Sequence, residues 1–198
     1  MTTAFFLVRH AAHDQLGRVL TGRMPGVSLG AAGRSQAARL AERLAQERVT
    51  AVLTSPLERS CETAEPIVRR LGVPIRISES LNEIDFGAWT GRSFAELEAE
   101  VLWQRWNAFR SGTRTPGGET MAQAQARIVG LMERLRNELP GTGVVLVSHG
   151  DMIKAALAHH LGLSLDLFHR IEISPASISV VELGDWGPRV LAVNEVAG

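Results

Sequence analysis

The chain has a single cysteine, no excess of charge of either sign and no long hydrophobic run. With Cys61 alone, an internal disulfide is excluded; this fits a reducing compartment, and the protein is expected in the cytoplasm. Lys and Arg number 21 and so do Asp and Glu, a formal net charge of +0. That balance points away from non-specific nucleic-acid binding and from anionic membrane surfaces. No apolar stretch approaches the ~20 residues that span a bilayer, and the N-terminus lacks the basic and apolar regions of a secretory signal. Neither repeats nor low-complexity tracts interrupt the 198 residues, so one domain over 1–198 with a sizeable core is expected.

What the chain does have is one design used twice. Phe5-Phe6-Leu7-Val8 is a buried-strand run that ends on Arg9-His10. Val144-Val145-Leu146-Val147 is a second, ending on Ser148-His149-Gly150, with a helical pattern from Asp151 onward. Open α/β sheets bind ligands beyond the carboxyl ends of their strands. If the two strands are parallel neighbours, His10 and His149 face one another across a crevice.

In chain order, a glycine-rich loop over 11–32 carries Arg18, Thr21 and Arg23. An amphipathic helix is predicted over 31–48, a strand over 49–54, and a helix over 57–71 that is kinked or interrupted at Pro66 and capped by Gly72. A weaker strand follows over 74–78. Residues 93–110 hold Phe94, Leu97, Trp103, Trp106 and Phe109 at helical spacing, and a further helix is predicted over 120–139. Two strands, 178–183 and 189–193, flank Gly184-Asp185-Trp186-Gly187 as a hairpin. Together these predict a three-layer α/β/α fold with a mostly parallel central sheet and an antiparallel edge strand.

Taken singly, the polar residues read modestly. Arg9 and Arg59 would be solvated in most proteins, although a cation in the first turn of a helix opposes the helix dipole. Glu83 could be a rim carboxylate and nothing more. Arg18, Arg23, Arg110 and Arg114 read as surface ahead of pocket mouth, and Trp103, Trp106 and Phe109 as core ahead of substrate platform. His10-x-x-His13 and His159-His160 have neither a cysteine partner nor i, i+4 spacing, so no metal is expected.

In combination they form a pattern. Leu7-Val8-Arg9-His10, Ser55-Pro56-Leu57-Glu58-Arg59-Ser60 with Thr63-Ala64, Leu81-Asn82-Glu83 with Phe86-Gly87, Pro116-Gly117-Gly118-Glu119-Thr120 and Val147-Ser148-His149-Gly150 occur in order across most of the chain. The chain thereby resembles the histidine phosphatase (phosphoglycerate mutase-like) superfamily, in its small branch with α-ribazole phosphatase and broad-specificity phosphatases.

The resemblance implies that His10 is a nucleophile forming phosphohistidine, that Arg9, Arg59, His149 and Gly150 bind the phosphate, and that Glu83 donates a proton to the leaving oxygen. His13, Arg18, Thr21 and Trp103 would line the substrate pocket, below a small cap insertion at about 88–120. No cofactor is implied, and the partner would be a small-molecule phosphate ester; an exposed apolar edge could support a homodimer. The leading expectation is a metal-independent phosphatase. A phosphoglycerate-type mutase and a regulatory, phosphoprotein-directed binding module are the alternatives. Departures fall in the loop after the nucleophile. Ala11, Ala12 and Leu16 stand where relatives carry glycine and polar residues, His13 replaces a serine or threonine, and Gly30 replaces a helix-capping hydroxyl.

Overall fold

The computed structural model describes residues 1–196; Ala197 and Gly198, within the domain expected over 1–198, lie outside the described residues. Three apolar runs become adjacent parallel strands: β1 (Thr3–Arg9), β2 (Val49–Thr54) and β4 (Gly143–Ser148), with β4 in the middle. The short β3 (Ile75–Ile77) extends the parallel set at one edge. The hairpin of β5 (Ser177–Gly184) and β6 (Gly187–Val196) builds the other, giving the order β3-β2-β4-β1-β5-β6. The reversed strand is β5, paired antiparallel to β1, and β6 turns back outside it.

Alternation along the strands decides what each helix covers. Phe6, Val8, Val52, Val145, Val147 and Ile178 pack on one face against α1 (Ala31–Leu44) and α2 (Glu58–Leu71). Phe5, Leu7, Leu53, Val144, Leu146 and Val181 fill the other face with α5 (Met121–Glu138) and α6 (Gly150–Leu161). This is the three-layer sheet expected from the sequence.

Local chemistry moves several boundaries. Pro66 sits inside α2 without interrupting it. The helix is held at its start by tertiary bonds, the Glu58 and Glu62 carboxylates accepting from the amides of Gly26 and Leu29 at 3.0 and 2.7 Å. The single helix predicted over 93–110 is two: α3 (Phe94–Glu98), opened by a Ser93/Glu96 capping box, and α4 (Val101–Ala108). The break falls at Glu100, which is extended at φ −90°, ψ 124° and turns its carboxylate to accept from Trp89 Nε1 at 2.9 Å and to pair with Arg92. Satisfying those donors outweighs two more helical residues.

The segment expected as a cap, about 88–120, is joined to the glycine-rich loop by backbone bonds. Leu20 N–H donates to Arg92 O at 2.9 Å, Gly91 N–H to Leu20 O at 2.8 Å, and Phe94 N–H to Arg18 O at 3.1 Å. The turn at Pro116 passes close to residues 85–88: a Cβ on Gly87 would lie 2.0 Å from Pro116 O, and Gly87 is left-handed at φ +53°. Glycine is required there by both measures. Of the cap aromatics, Trp106 is fully buried, Trp103 half-buried against Trp89 at 5.2 Å, and Phe109 exposed.

Candidate active site

The β1–β4 register pairs Arg9 with Ser148, so the next residue on each strand is a histidine. His10 N–H donates to Ser148 O at 2.9 Å, and the His10 and His149 rings lie 5.1 Å apart at 60°. β2 ends beside them: Ser55 N–H donates to Val147 O at 2.9 Å, and Ser55 Oγ sits 2.8 Å from His149 Nε2. The site is therefore assembled from the carboxyl ends of three parallel strands.

His10 is held by a relay. Its Nδ1 lies 2.9 Å from Ala11 O, Ala11 N–H donates to Thr63 Oγ1 at 3.0 Å, and Thr63 Oγ1 donates to Arg59 O at 2.7 Å. A carbonyl can only accept, so Nδ1 carries the proton and Nε2 presents its lone pair. Burial drives the pKa of His10 well below its ordinary value, and the Arg59 and Arg9 charges push it further down. The neutral imidazole is thus the resting form. Ala11 fills this place with its φ outside the left-handed region, so alanine for glycine brings no backbone strain there. Ala176 does carry strain, at φ 56°, and its N–H meets the carbonyls of Arg9 and His10 at 3.2 and 3.3 Å.

Around His10 stand donors with nothing to bind. Arg9 Nη1 donates to Ile173 O at 2.6 Å and Arg59 Nη2 to Gly22 O at 2.7 Å. Arg9 Nε, Arg59 Nε and Arg59 Nη1 are buried without a partner. Buried guanidinium nitrogens seldom stay empty, and several beside one imidazole mark an anion seat. The missing side chain of Gly150, first residue of α6, leaves Arg9 room: a Cβ there would lie 3.3 Å from Arg9 Nε. His149 is also driven well below its ordinary pKa, by burial first and then by the neighbouring His10 ring, which disfavours a second proton in the pair, and the Arg59 charge. Its Nδ1 lies 3.4 Å from Arg59 Nη2 and 3.8 Å from Glu83 Oε2.

Glu83 is shifted the other way. Burial first, then the Asp151 charge, raises its pKa to about 7, against the pull of the Ile84 N–H bond and of Arg59 and Arg127. Its chain segment is clamped. Arg23 Nε and Arg127 Nη2 donate to Glu83 O at 2.8 and 2.9 Å, and Glu119 accepts from both guanidiniums, at 3.1 Å from Arg23 and 2.8 Å from Arg127. Glu119 Oε1 also accepts from Asp85 N–H at 2.9 Å.

One cleft, with a cavity of about 230 Å³, gathers Arg9, His10, His13, Thr21, Glu83, Trp103 and Gly150 on its lining. Arg59 and His149 lie beneath that lining, at 1% and 0% exposure. Arg18 is not on it, although its neighbours Gly17 and Val19 are; its side chain is exposed, and its backbone carbonyl accepts from Phe94 N–H. Arg110 reverses the surface reading. It is buried between the Trp106 and Phe168 rings at 4.7 and 4.3 Å and paired to Asp151 at 3.0 Å. His13 lines the cleft with its pKa lowered by burial to about 4. Sequence reasoning assigned no role to Ser55, Thr63, Arg127, Asp151 or Glu119, although Ser55, Thr63 and Glu119 stood within the motifs. Among the described residues no group of three or more His, Cys, Asp or Glu is placed to hold a metal ion, and no helix is long and apolar enough to cross a membrane.

A resting neutral imidazole beside unpartnered guanidiniums, with a protonatable carboxyl across the cleft, defines an anion site equipped for group transfer. Residues 5–196 match the model of the histidine phosphatase superfamily (branch 1), and the chain belongs to that family. It is 29% identical over 193 residues to phosphoserine phosphatase 1 of Hydrogenobacter thermophilus, covering 95% of this chain and 90% of that one. It is 30% identical over 182 residues to a probable phosphoglycerate mutase of Photorhabdus laumondii, covering 89% and 83%. Mycobacterial relatives at 33% identity are longer proteins, of which the match spans 41%. Among solved structures, a mycobacterial glucosyl-3-phosphoglycerate phosphatase superposes with a TM-score of 0.88 at 25% identity, covering 98% of this chain and all of that one. The Shigella flexneri α-ribazole phosphatase shares the fold at a TM-score of 0.86 and 23% identity, covering 98% and 97%.

Proposed function

We propose that the chain is a phosphoric monoester hydrolase that cleaves a small-molecule phosphate ester through a phosphohistidine on His10. The carrying observation is the orientation of His10, whose Nδ1 faces Ala11 O at 2.9 Å and leaves Nε2 free beside unpartnered arginine nitrogens. Nε2 attacks phosphorus, the P–O ester bond breaks, and Glu83 passes its proton to the departing oxygen. Water then attacks phosphorus and the P–N bond breaks. The Glu83 carboxylate takes the water proton, and His10 returns to its starting form with inorganic phosphate released.

Charge on the transferring oxygens is balanced by Arg9 and Arg59. An incoming phosphate dianion also draws a proton onto His149, reversing the field that keeps that ring neutral when the site is empty. In this scheme the chain's own cations supply the electrostatic work, and no metal is called for.

The family relationship and the relatives named as phosphatases support hydrolysis. The probable phosphoglycerate mutase among them favours a second reading, return of the phosphoryl group to substrate. Release of phosphate from an aryl phosphate in excess chelator, wild type against His10→Ala, tests the proposal. Turnover that survives chelation and disappears in the variant is expected; full turnover by His10→Ala overturns it. Isomer formed from a phosphoglycerate without net phosphate would select the mutase reading.

A further inference from the structure

The cleft that would hold the alcohol half of the ester is lined very differently from the phosphate seat. Leu16, Val19, Leu20, Phe86, Phe94 and Trp103 form its apolar wall. Leu16 is 36% exposed at the mouth, and the Trp103 ring lies 6.2 Å from that of Phe94. The polar residues beyond His10 and Glu83 are His13, Thr21, Asn107, Arg110 and Asp151. Thr21 and Asn107 are neutral, and His13 is neutral above about pH 4 by the burial described above.

Charge in this half is decided by one pair. Arg110 donates to Asp151 Oδ2 at 3.0 Å and to Asn107 Oδ1 at 2.9 Å, and its guanidinium is held between two aromatic rings at 4% exposure. Its charge is matched by Asp151, and its one unpartnered nitrogen, Nε, is buried and offers a ligand no surface. Asp151 is the more open partner, with 26% of its side chain exposed. Arg9 is the other cation on the lining, and it belongs to the phosphate seat. Outside the lining, Arg23 is committed to Glu83 O and Glu119 and Arg114 to Gly118 O, while Arg18, between the lining residues Gly17 and Val19, is exposed to water. A carboxylate held against the apolar wall would lose its hydration, find no open cation on the lining and meet Asp151.

We infer that the substrate is the phosphate ester of an uncharged, largely apolar alcohol, read by Leu16, Phe94 and Trp103, and that Asp151 turns away esters whose alcohol half bears a carboxylate. This deepens the proposed hydrolysis and rests on it. It also separates this chain from its relatives named for phosphoserine and phosphoglycerates, whose substrates carry that carboxylate. Leu16, one of the departures noted in the sequence, then has a role: it replaces a polar contact with part of the apolar wall.

The test uses a matched pair, benzyl phosphate and 4-carboxybenzyl phosphate, which differ in the carboxylate while leaving at similar basicity. Benzyl phosphate is expected to win in kcat/KM by about tenfold or more, the range that one misplaced group costs in a shaped pocket. Leu16→Arg, an exposed position where folding is undisturbed, should narrow that preference severalfold by supplying the missing cation. Equal rates, a preference for the carboxylated ester, or a Leu16→Arg protein with unchanged preference overturns the inference. Calorimetric binding of benzylphosphonate and 4-carboxybenzylphosphonate separates this from the proposed activity. If neither ester turns over but benzylphosphonate binds more tightly, hydrolysis falls and the selectivity stands. If the carboxylated phosphonate binds as well or better, or neither binds, the selectivity falls.

Discussion

Glu83→Gln should make the protein more stable above neutral pH while crippling it as a catalyst. The ordinary carboxyl titrates near 4.5 and the folded-state Glu83 near 7, so the native state holds this proton over a window where the unfolded chain has released it. A raised carboxyl pKa contributes stability that is present below the unfolded value and lost as pH rises toward the folded one. Between about pH 4.5 and about pH 8 the wild type therefore loses about 3 kcal/mol on account of this one group. Only 14% of its side chain is exposed, so solvent screens little of that. Glutamine carries no ionisable proton and keeps an oxygen for the Ile84 N–H, which Glu83 Oε1 accepts at 2.8 Å. At about pH 8 the variant should melt roughly 10 °C above wild type, and near pH 4.5 the two should differ by well under 1 kcal/mol. Paired thermal melts at the two pH values measure this directly. A variant no more stable than wild type at the higher pH, or equally favoured at both, would refute the account of a strained, buried proton donor.

The same substitution should slow release of phosphate from a poor leaving group such as benzyl phosphate by about a hundredfold or more, and from an activated aryl phosphate much less; equal losses would count against the acid role. Wild-type turnover of the poor leaving group should fall with rising pH from about 7, as Glu83 loses its proton. Glu119→Gln leaves the Arg23 and Arg127 charges on Glu83 O without their counterion, so that fall should begin at lower pH, with severalfold loss at neutral pH and little for the activated ester. An unmoved profile would make Glu119 a structural residue only. Trp106→Ala, which empties a fully buried site and removes one ring stacked on Arg110, should cost about 3–5 kcal/mol in denaturant unfolding, and a loss under about 1 kcal/mol would contradict its place in the core.

Much of this architecture was legible because periodicity and chemistry agree. Apolar runs ending on Arg9-His10 and Ser148-His149 read as buried strands, and the β1–β4 register then brought both histidines to one edge. Arg59 looked misplaced in a first helical turn, and its burial at 1% exposure explains why. What escaped the sequence depends on contacts distant in the chain. The break between α3 and α4 comes from the Glu100 carboxylate turning toward Trp89 and Arg92, which helical spacing cannot report. Pro66 stays within α2, whose start is tied through Glu58 and Glu62 to a loop some 30 residues earlier, a contact the sequence does not announce. Arg110 read as surface because a cation's default is water. Only the fold places Trp106, Phe168 and Asp151 around it. Arg18, by the same default, is exposed as most arginines are.

The central claim, that His10 Nε2 carries the phosphoryl group in turnover, is tested most directly by rapid quench at alkaline pH, where phosphohistidine survives, followed by peptide mass spectrometry. The account predicts a phosphoryl group on the peptide bearing His10, formed within one turnover of an activated ester and accumulating in Glu83→Gln, where the water step lacks its base. Steady turnover by wild type with His10 unmodified at every quench time, or phosphoryl label on another residue, would contradict it.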